Sequence, residues 1–171
     1  MGGRTKRLKR QSGGSPEQRP DPFVLFLDET SHNCKPIHAS LETLQVTYVR
    51  HGAKFLPGVD DEVWLPIVGQ ERWIILTCDK RIRHNQLERE KIMQYGCREF
   101  VFTSGNLSGA MMGEILMAAV PQMKNLCAKY PAPFIATISQ SGNVTVRWDS
   151  GGSVHAQDKK GKEDQGSRNS S

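Results

Sequence analysis

The sequence predicts an α/β fold of three layers, in which a central, mostly parallel sheet of four to five strands carries helices on both faces. Unbroken apolar runs at residues 23–27 and 73–76 are typical of strands that are buried on both sides. Segments with helical periodicity separate these runs, and such alternation favours parallel strands. The chain of 171 residues is also long enough for one hydrophobic core with tails.

The first half of the chain predicts three strands with helices between them. The predicted order is a strand at 23–27, a helix within 34–43, a strand at 44–49, a loop at 52–59, a helix at 60–68 and a strand at 73–76. Apolar residues one turn apart predict the helix at 60–68. Its first turn is acidic, which the helix dipole favours.

The second half predicts a helix at 85–95, a strand at 99–102, a long helix over 107–127 and strands at 134–138 and 144–148. Gly96 is expected to cap the first of these helices at its carboxyl end. Pro121 is expected to kink the long helix, because proline lacks the N–H that the helix needs. Residues 140–143, with the sequence Gln-Ser-Gly-Asn, predict the turn of a C-terminal β-hairpin.

Composition divides the chain into one domain at residues 22–149 and two predicted disordered tails, a basic one at 1–21 and a polar one at 150–171. The net charge of +5 lies in the tails, since residues 22–149 carry thirteen basic and thirteen acidic residues. Affinity of the domain for nucleic acid would therefore need a local basic patch. Four cysteines without metal-binding spacing, no apolar signal core and no membrane-spanning run predict a reduced, cytoplasmic protein.

Acidic residues follow the predicted strands at the edge where open α/β sheets bind their ligands. Asp28 and Glu29 end the first strand, and Asp79 follows the strand at 73–76. One acid among residues 60–62 is expected to face the same crevice. Because gathered carboxylates repel one another, a hard cation such as Mg²⁺ or Mn²⁺ is the usual reason to gather them. The sequence therefore predicts a carboxylate metal site.

A basic patch follows Asp79 directly, formed by Lys80, Arg81 and Arg83. A phosphodiester substrate needs cations that bind its backbone and a metal that activates water. This juxtaposition therefore predicts a nuclease, and a solvated loop is the alternative reading of the same basic residues.

Several other polar residues are expected to have structural roles. Ser104 and Asn106 follow the fourth strand and could orient a ligand, although at least one of them is expected to cap the next helix. His32 and His38 are expected at the surface, and strand alternation predicts that Cys78 points into the core.

Four segments taken together resemble the PIN-like domains of the VapC toxin type. They are Val-Leu-Phe-Leu-Asp-Glu at 24–29, Gly-Val-Asp-Asp-Glu-Val-Trp-Leu-Pro at 58–66, Trp-Ile-Ile-Leu-Thr-Cys-Asp-Lys-Arg-Ile at 73–82 and Phe-Thr-Ser-Gly-Asn-Leu-Ser at 102–108. The resemblance spans residues 23–148. It implies a PIN-like fold and a Mg²⁺- or Mn²⁺-dependent ribonuclease, typically the toxin of a bacterial toxin–antitoxin pair that a cognate antitoxin holds inactive. Toxins of this type frequently form homodimers.

Carried over to this chain, the resemblance implies that Asp28, Asp61 and Asp79 are the metal ligands that activate water for attack on RNA. Thr77 would support the carboxylate of Asp79 by a hydrogen bond. The weaker or supporting ligands would be Glu29, Thr77, Ser104 and Asn106, and the residues that bind RNA would be Lys80, Arg81 and Arg83.

The sequence departs from the family at one point. PIN domains commonly have a further acid after the fourth strand, where this chain has only Ser104 and Asn106, and Glu99 is expected to lie too early in that strand. A catalytically inactive PIN-like module that binds RNA or protein is therefore one alternative. A receiver-like phosphoacceptor domain is a second, but that family needs a lysine after the fifth parallel strand, and residues 134–148 contain none.

Overall fold

The computed structural model describes residues 21–154, in which seven strands form one mixed sheet. The strands are β1 (Val24–Leu27), β2 (Thr47–Arg50), β3 (Ile74–Thr77), β4 (Arg98–Phe102), β5 (Phe134–Ile138), β6 (Val144–Asp149) and β7 (Gly152–Ser153). The sheet order is β2-β1-β3-β4-β5-β6-β7. The first five strands in this order, which end with β5, are parallel to one another. Strand β6 pairs antiparallel with β5, and β7 pairs antiparallel with β6. The first strand of the predicted hairpin is thus the fifth parallel strand of the sheet.

Within the same residues, five α-helices and one 3₁₀ helix connect the strands. They are α1 (Lys35–Thr43), α2 (His51–Lys54), α3 (Asp61–Gln70), the 3₁₀ helix Lys80–Arg83, α4 (Gln86–Gln94) and α5 (Gly109–Lys129). The short α2 begins just before the region predicted as a loop, and four residues are too few to show a helical period. None of the helices in the described part of the chain has the length and hydrophobicity needed to cross a membrane.

An apolar core lies on each face of the sheet. One core packs α1 and α5 against Leu25, Leu76 and Phe100. The other packs α3 and α4 against Phe26 and Ile75, which point to the opposite face. Both faces of the central strands are therefore buried, which explains their unbroken apolar sequences. The predicted three-layer α/β architecture is confirmed.

Two helix features follow from single residues. Gly96 has a φ of +68° and its N–H donates to the carbonyl of Met93, so the predicted cap of α4 is confirmed. Helix α5 includes Pro121 without interruption. Pro121 is exposed, so the carbonyl of Met117, which loses its helical donor, lies on the side of the helix that faces water.

The predicted tails lie largely outside the described residues, but both of their inner boundaries need correction. Asp21 accepts hydrogen bonds from Arg72 and Arg98, which attach it to the sheet domain. At the other end, Gly152–Ser153 pairs with β6, contrary to the prediction of disorder from residue 150. Composition did not reveal this strand, because a short edge strand needs only backbone hydrogen bonds and no apolar side chains.

The sheet order creates a crevice between β1 and β3. Strand β2 pairs with one side of β1 and β3 with the other, and the later strands extend the sheet beyond β3. At such a switch point the connections leave the carboxyl ends of neighbouring strands in opposite directions, and ligands bind between them. Asp28 and Asp79 follow these two strands.

Candidate active site

A cavity of about 180 Å³, here called the acidic cavity, lies beside the carboxyl ends of β1 and β3. The acidic residues that line it are Asp28, Glu29, Asp61, Asp79, Glu88 and Glu99. Its other polar lining residues are Thr30, His51, Thr77 and Arg81. The three acids predicted as metal ligands, Asp28, Asp61 and Asp79, thus line one cavity although they come from three separate segments.

Asp28 is held in place by three hydroxyl groups. Its Oδ1 accepts hydrogen bonds from Thr30 Oγ1 and Ser31 Oγ, both at 2.8 Å, and its Oδ2 accepts one from Thr77 Oγ1 at 2.6 Å. Burial raises the pKa of Asp28, although these hydrogen bonds act in the opposite direction. A nearby cation would therefore stabilise the charged form of a carboxylate that is already oriented.

Thr77 connects the first and third strands of the site in a way that the sequence did not predict. Its Oγ1 donates to Asp28 Oδ2 and accepts from the backbone N–H of Asp79 at 2.9 Å. The expected hydrogen bond to the Asp79 carboxylate is replaced by these two. The reason is the strand register, which pairs Leu27 with Leu76 and so places Asp28 beside Thr77.

Replacing Thr77 by valine should destabilise the protein by about 1–3 kcal/mol, because a part-buried carboxylate loses a donor and the N–H of Asp79 loses an acceptor. Valine keeps the shape of threonine, so packing should change little. Urea unfolding of the purified variant measures the effect. Thr77→Ser retains the hydroxyl group and is the matched control. Equal losses in both variants would assign the effect to packing instead.

Asp61 is the one acid among residues 60–62 that lines the acidic cavity. Its Oδ1 accepts a hydrogen bond from Trp64 Nε1 at 3.2 Å, while Glu62 forms an ion pair with Lys91 on α4. Asp60 is the N-cap residue of α3 and makes no side-chain capping bond. Helix capping therefore does not account for Asp61. Glu29 also lines the cavity, and its Oε1 accepts from the N–H of Gly58 at 2.9 Å.

Glu99 belongs to the acidic cavity, and the expectation that it lies too early in β4 is wrong. Its side chain is on the α3 and α4 face, beside Ile75 of β3 and Ile135 of β5, and only 4% of the residue is exposed. Glutamate is one methylene longer than aspartate, which lets its carboxylate reach the cavity from within the strand. The available sequence signal was an acid directly before the apolar run at residues 100–102.

The electrostatic environment of Glu99 is unfavourable for a negative charge. Its Oε2 is buried and has no hydrogen-bond partner among residues 21–154. Burial first, and then the negative charges of Asp28, Glu88, Asp61 and Asp79, raise the pKa of Glu99 well above its usual range. A buried, unpartnered carboxylate beside other acids is the arrangement that a bound cation would relieve.

Ser104 and Asn106 lie outside the acidic cavity. Ser104 lines a neighbouring cavity of about 270 Å³ together with Lys80 and Gly105, and Asn106 lines neither cavity. The N-cap of α5 is Ser108, whose Oγ accepts from the N–H of Met111, so the capping expectation was wrong for both residues. This loop turns towards the α1 and α5 face, because Leu107 packs against the core there.

His51 and Glu88 also line the acidic cavity, and no sequence pattern predicted either of them. His51 is 1% exposed, its Nδ1 has no partner among the described residues, and burial lowers its pKa, which favours the neutral ring. Glu88 accepts a hydrogen bond from Asn85 Nδ2 at 2.8 Å. Both residues reach the site through packing between elements, which no local motif records.

The two histidines and the cysteine that the sequence analysis assigned to structural roles are His32, His38 and Cys78. His32 Nδ1 accepts from the N–H of Gly52, and His38 Nε2 bonds the carbonyl of His32. Cys78 packs against the α1 and α5 core beside Met112, and burial raises the pKa of its thiol to about 12. The expectation that Cys78 is a core residue agrees with this packing.

The predicted basic patch lies on the 3₁₀ helix at the rim of the acidic cavity. Arg81 lines the acidic cavity and pairs with Asp79, whose pKa this hydrogen-bonded pair lowers. Lys80 lines the neighbouring cavity, and Arg83 Nη1 lies 3.5 Å from the carbonyl oxygen of Thr103. Positive side chains therefore adjoin the acids, as the sequence predicted.

The acidic residues of the cavity are of the chemical type that binds a hard divalent cation, because their carboxylates supply oxygen ligands. One of these oxygens, Glu99 Oε2, is buried and has no hydrogen-bond partner among the described residues. In the described residues, however, no three Asp, Glu, His or Cys side chains converge closely enough to form a metal-ligand cluster. Asp79 is also engaged by Arg81. Metal binding would therefore require side chains of the cavity to move inward.

A comparison with protein families gives a match for the part of the chain that carries this cavity. Residues 24–104 match a family described as a PIN-like domain, a span that begins with β1 and ends just after β4. A protein of Mycobacterium tuberculosis (strain ATCC 25618 / H37Rv) named "Putative ribonuclease VapC45" is 26% identical over 96 residues, which cover 56% of this chain and 69% of that protein. No solved structure gives a significant match.

Proposed function

We propose that the protein is a metal-dependent endoribonuclease, because residues 24–104 match a PIN-like domain family and the chain is similar to the protein named "Putative ribonuclease VapC45". The observation that carries the proposal is the acidic cavity, in which Asp28, Asp61, Asp79 and Glu99 adjoin a basic 3₁₀ helix. Hydrolysis of a polyanion needs both features: carboxylates that hold a cation, and positive side chains that bind the flanking phosphates.

In this proposal the four carboxylates of Asp28, Asp61, Asp79 and Glu99 hold Mg²⁺ or Mn²⁺. The bound ion would polarise the scissile phosphate and lower the pKa of the attacking water. Thr77 and the neighbouring hydroxyl groups keep Asp28 oriented towards the cavity. Lys80 and Arg83 would bind phosphates of the RNA backbone on the outer side of the site.

The resemblance to the VapC type further supports a role as the toxin of a bacterial toxin–antitoxin pair, and the relative's name is of the same type. The proposed partners are RNA and a cognate antitoxin protein, the proposed location is the cytoplasm, and a homodimer is the proposed oligomeric state. Light scattering of the purified protein, alone and with the antitoxin, would measure both assemblies.

The test is cleavage of total RNA and tRNA by the purified protein with Mg²⁺, with Mn²⁺ and with EDTA. An Asp28→Asn/Asp79→Asn double variant, shown to be folded by circular dichroism, is assayed beside it. We expect cutting that requires the metal and is lost in the double variant. A folded wild-type protein that cuts no RNA with either ion would contradict the proposal.

One observation favours a second candidate, a catalytically inactive module that binds RNA or protein. The described acids do not converge into a ready metal cluster, and such a module would bind RNA equally well in EDTA. The receiver-like alternative shares the sheet order of the first five strands. It lacks support, because Ser139, Gln140 and Ser141 follow β5 where a lysine is needed.

A further inference from the structure

Arg81 clamps the carboxylate of Asp79, one of the proposed metal ligands. Its Nε lies 3.1 Å from Asp79 Oδ1 and 2.9 Å from Oδ2, and its Nη2 lies 2.6 Å from Oδ2. The backbone N–H of Arg81 also donates to Oδ1 at 2.9 Å. Since a carboxylate offers about four acceptor sites, these bonds occupy most of them. A cation that needs Asp79 must therefore compete with the guanidinium.

The clamp lies where a nucleic-acid backbone would approach. Asp79 and Arg81 line both the acidic cavity and the neighbouring cavity, so the pair stands between the two. The Arg81 side chain is 81% exposed, whereas that of Asp79 is 23% exposed. A polyanion at this rim therefore meets the guanidinium before it meets the carboxylate. Arginine pairs with phosphate in the same bidentate way as with carboxylate.

We propose that Arg81 transfers from Asp79 to a backbone phosphate of the RNA, and that this transfer frees Asp79 for the divalent cation. RNA and metal then bind cooperatively, and the site assembles fully only on its substrate. The inference rests on the proposed function, because it takes RNA and a divalent cation as the two ligands of the cavity.

Local structure makes this exchange easy. Asp79 is the N-cap of the 3₁₀ helix, and its bond from the backbone N–H of Arg81 does not depend on the arginine side chain. The N–H of Asp79 is likewise held by Thr77 Oγ1. The carboxylate therefore keeps its place when the guanidinium leaves. Exposed ion pairs are weak, so a phosphate can displace one.

The exchange predicts a specific pattern of Mn²⁺ affinities. Without RNA, Arg81→Gln should bind Mn²⁺ about two- to fivefold more tightly than the wild-type protein. This factor in affinity corresponds to the free energy that an exposed ion pair typically contributes. Because coupling is reciprocal, RNA should tighten Mn²⁺ binding to the wild-type protein by a correspondingly larger factor than in the variant. Arg50→Gln removes the same charge at the exposed end of β2, where Arg50 lines neither cavity, and should behave like the wild-type protein in both measurements.

The experiment measures free Mn²⁺ by electron paramagnetic resonance during titration of each folded protein, with and without a short single-stranded RNA. The titration is run cold, and a gel confirms that the RNA stays intact. An oligonucleotide with neutral methylphosphonate linkages replaces the RNA as a control, and it should produce no tightening, because it lacks the charge that attracts Arg81.

Each outcome separates the inference from the proposed function. Equal Mn²⁺ affinities and equal RNA effects in Arg81→Gln and Arg50→Gln would overturn the inference, even if the wild-type protein cleaves RNA. The predicted coupling in a wild-type protein that never cleaves RNA would support the exchange and contradict the hydrolysis. Absence of Mn²⁺ binding in all three proteins would overturn both.

Discussion

Replacement of Glu99 by glutamine is expected to lower metal-dependent RNA cleavage at least about a hundredfold while the fold stays intact. Glu99 contributes a buried carboxylate oxygen without a partner to the acidic cavity, and the amide of glutamine is a much weaker ligand for Mg²⁺ or Mn²⁺. Cleavage rates measured across a range of Mn²⁺ concentrations would show this loss. Glu90→Gln makes the same chemical change at an exposed position of α4 and should leave the rate unchanged.

The same substitution should stabilise the metal-free protein at neutral and alkaline pH. Glutamine has the shape of protonated glutamate and carries no charge, so it removes the repulsion from Asp28 and the other acids of the cavity. Loss of activity together with a gain in stability distinguishes a functional carboxylate from a structural one. A variant that loses both would mean that Glu99 holds the core together.

The pH dependence of this effect has a definite sign. The pKa of Glu99 in the folded protein lies above the ordinary value of 4.5, so the folded state binds this proton more tightly than the unfolded state. The stability that comes from the protonated carboxyl group is fully present below pH 4.5 and is lost as the pH rises through the folded-state pKa. Glutamine does not titrate, so Glu99→Gln cannot lose this contribution.

Urea unfolding in EDTA at several pH values measures this difference. Between pH 4.5 and the folded-state pKa, the free energy of unfolding of the wild-type protein should fall relative to that of the variant by up to about 1.4 kcal/mol per pH unit. His51 also titrates with a shifted pKa, but it is present in both proteins and largely cancels in the comparison. Parallel pH profiles would refute the assignment of Glu99 as a carboxyl group with a raised pKa.

Gly69→Ala is expected to destabilise the protein by about 3 kcal/mol, although alanine favours an exposed helix over glycine by about 1 kcal/mol. A Cβ atom at this position of α3 would lie 2.1 Å from the carbonyl oxygen of Tyr95 and 3.4 Å from Cys97 Sγ. The carbonyl belongs to the backbone just before β4. It therefore cannot move away from a new Cβ atom unless β4 or α3 shifts. Urea unfolding of the variant measures the loss.

The consequence for the site follows from the position of α3. This helix carries Asp61 and Trp64, and any shift of α3 away from β4 moves them away from the acidic cavity. Cleavage by Gly69→Ala should therefore fall as well. Gln70→Ala, at the adjacent exposed position, should change stability by less than about 0.5 kcal/mol. If Gly69→Ala proves as stable as Gln70→Ala, then the close packing of α3 against residues 95–97 does not require glycine at position 69.

Sequence alone determined the layered architecture and the segments that bring the first acids together. Apolar runs identified the central strands, because a strand that is buried on both faces has apolar side chains at consecutive positions. Asp28 and Asp79 were predictable because they directly follow such strands, and the carboxyl ends of parallel strands share one edge. These inferences depend on neighbours along the chain, which a sequence states directly.

The assembly of the site depends on contacts between distant segments, which the sequence does not show. Glu99 reaches the cavity from within β4, Thr77 bonds Asp28 on the adjacent strand, and His51 is buried between elements. Each depends on strand register or on the reach of a side chain across a gap between segments far apart in sequence. The periodicity of a sequence shows the face on which a residue lies but not the residue that it contacts. For this reason the sequence identified the edge of the sheet where the site lies, whereas the residues that meet at that edge are known only from the structure.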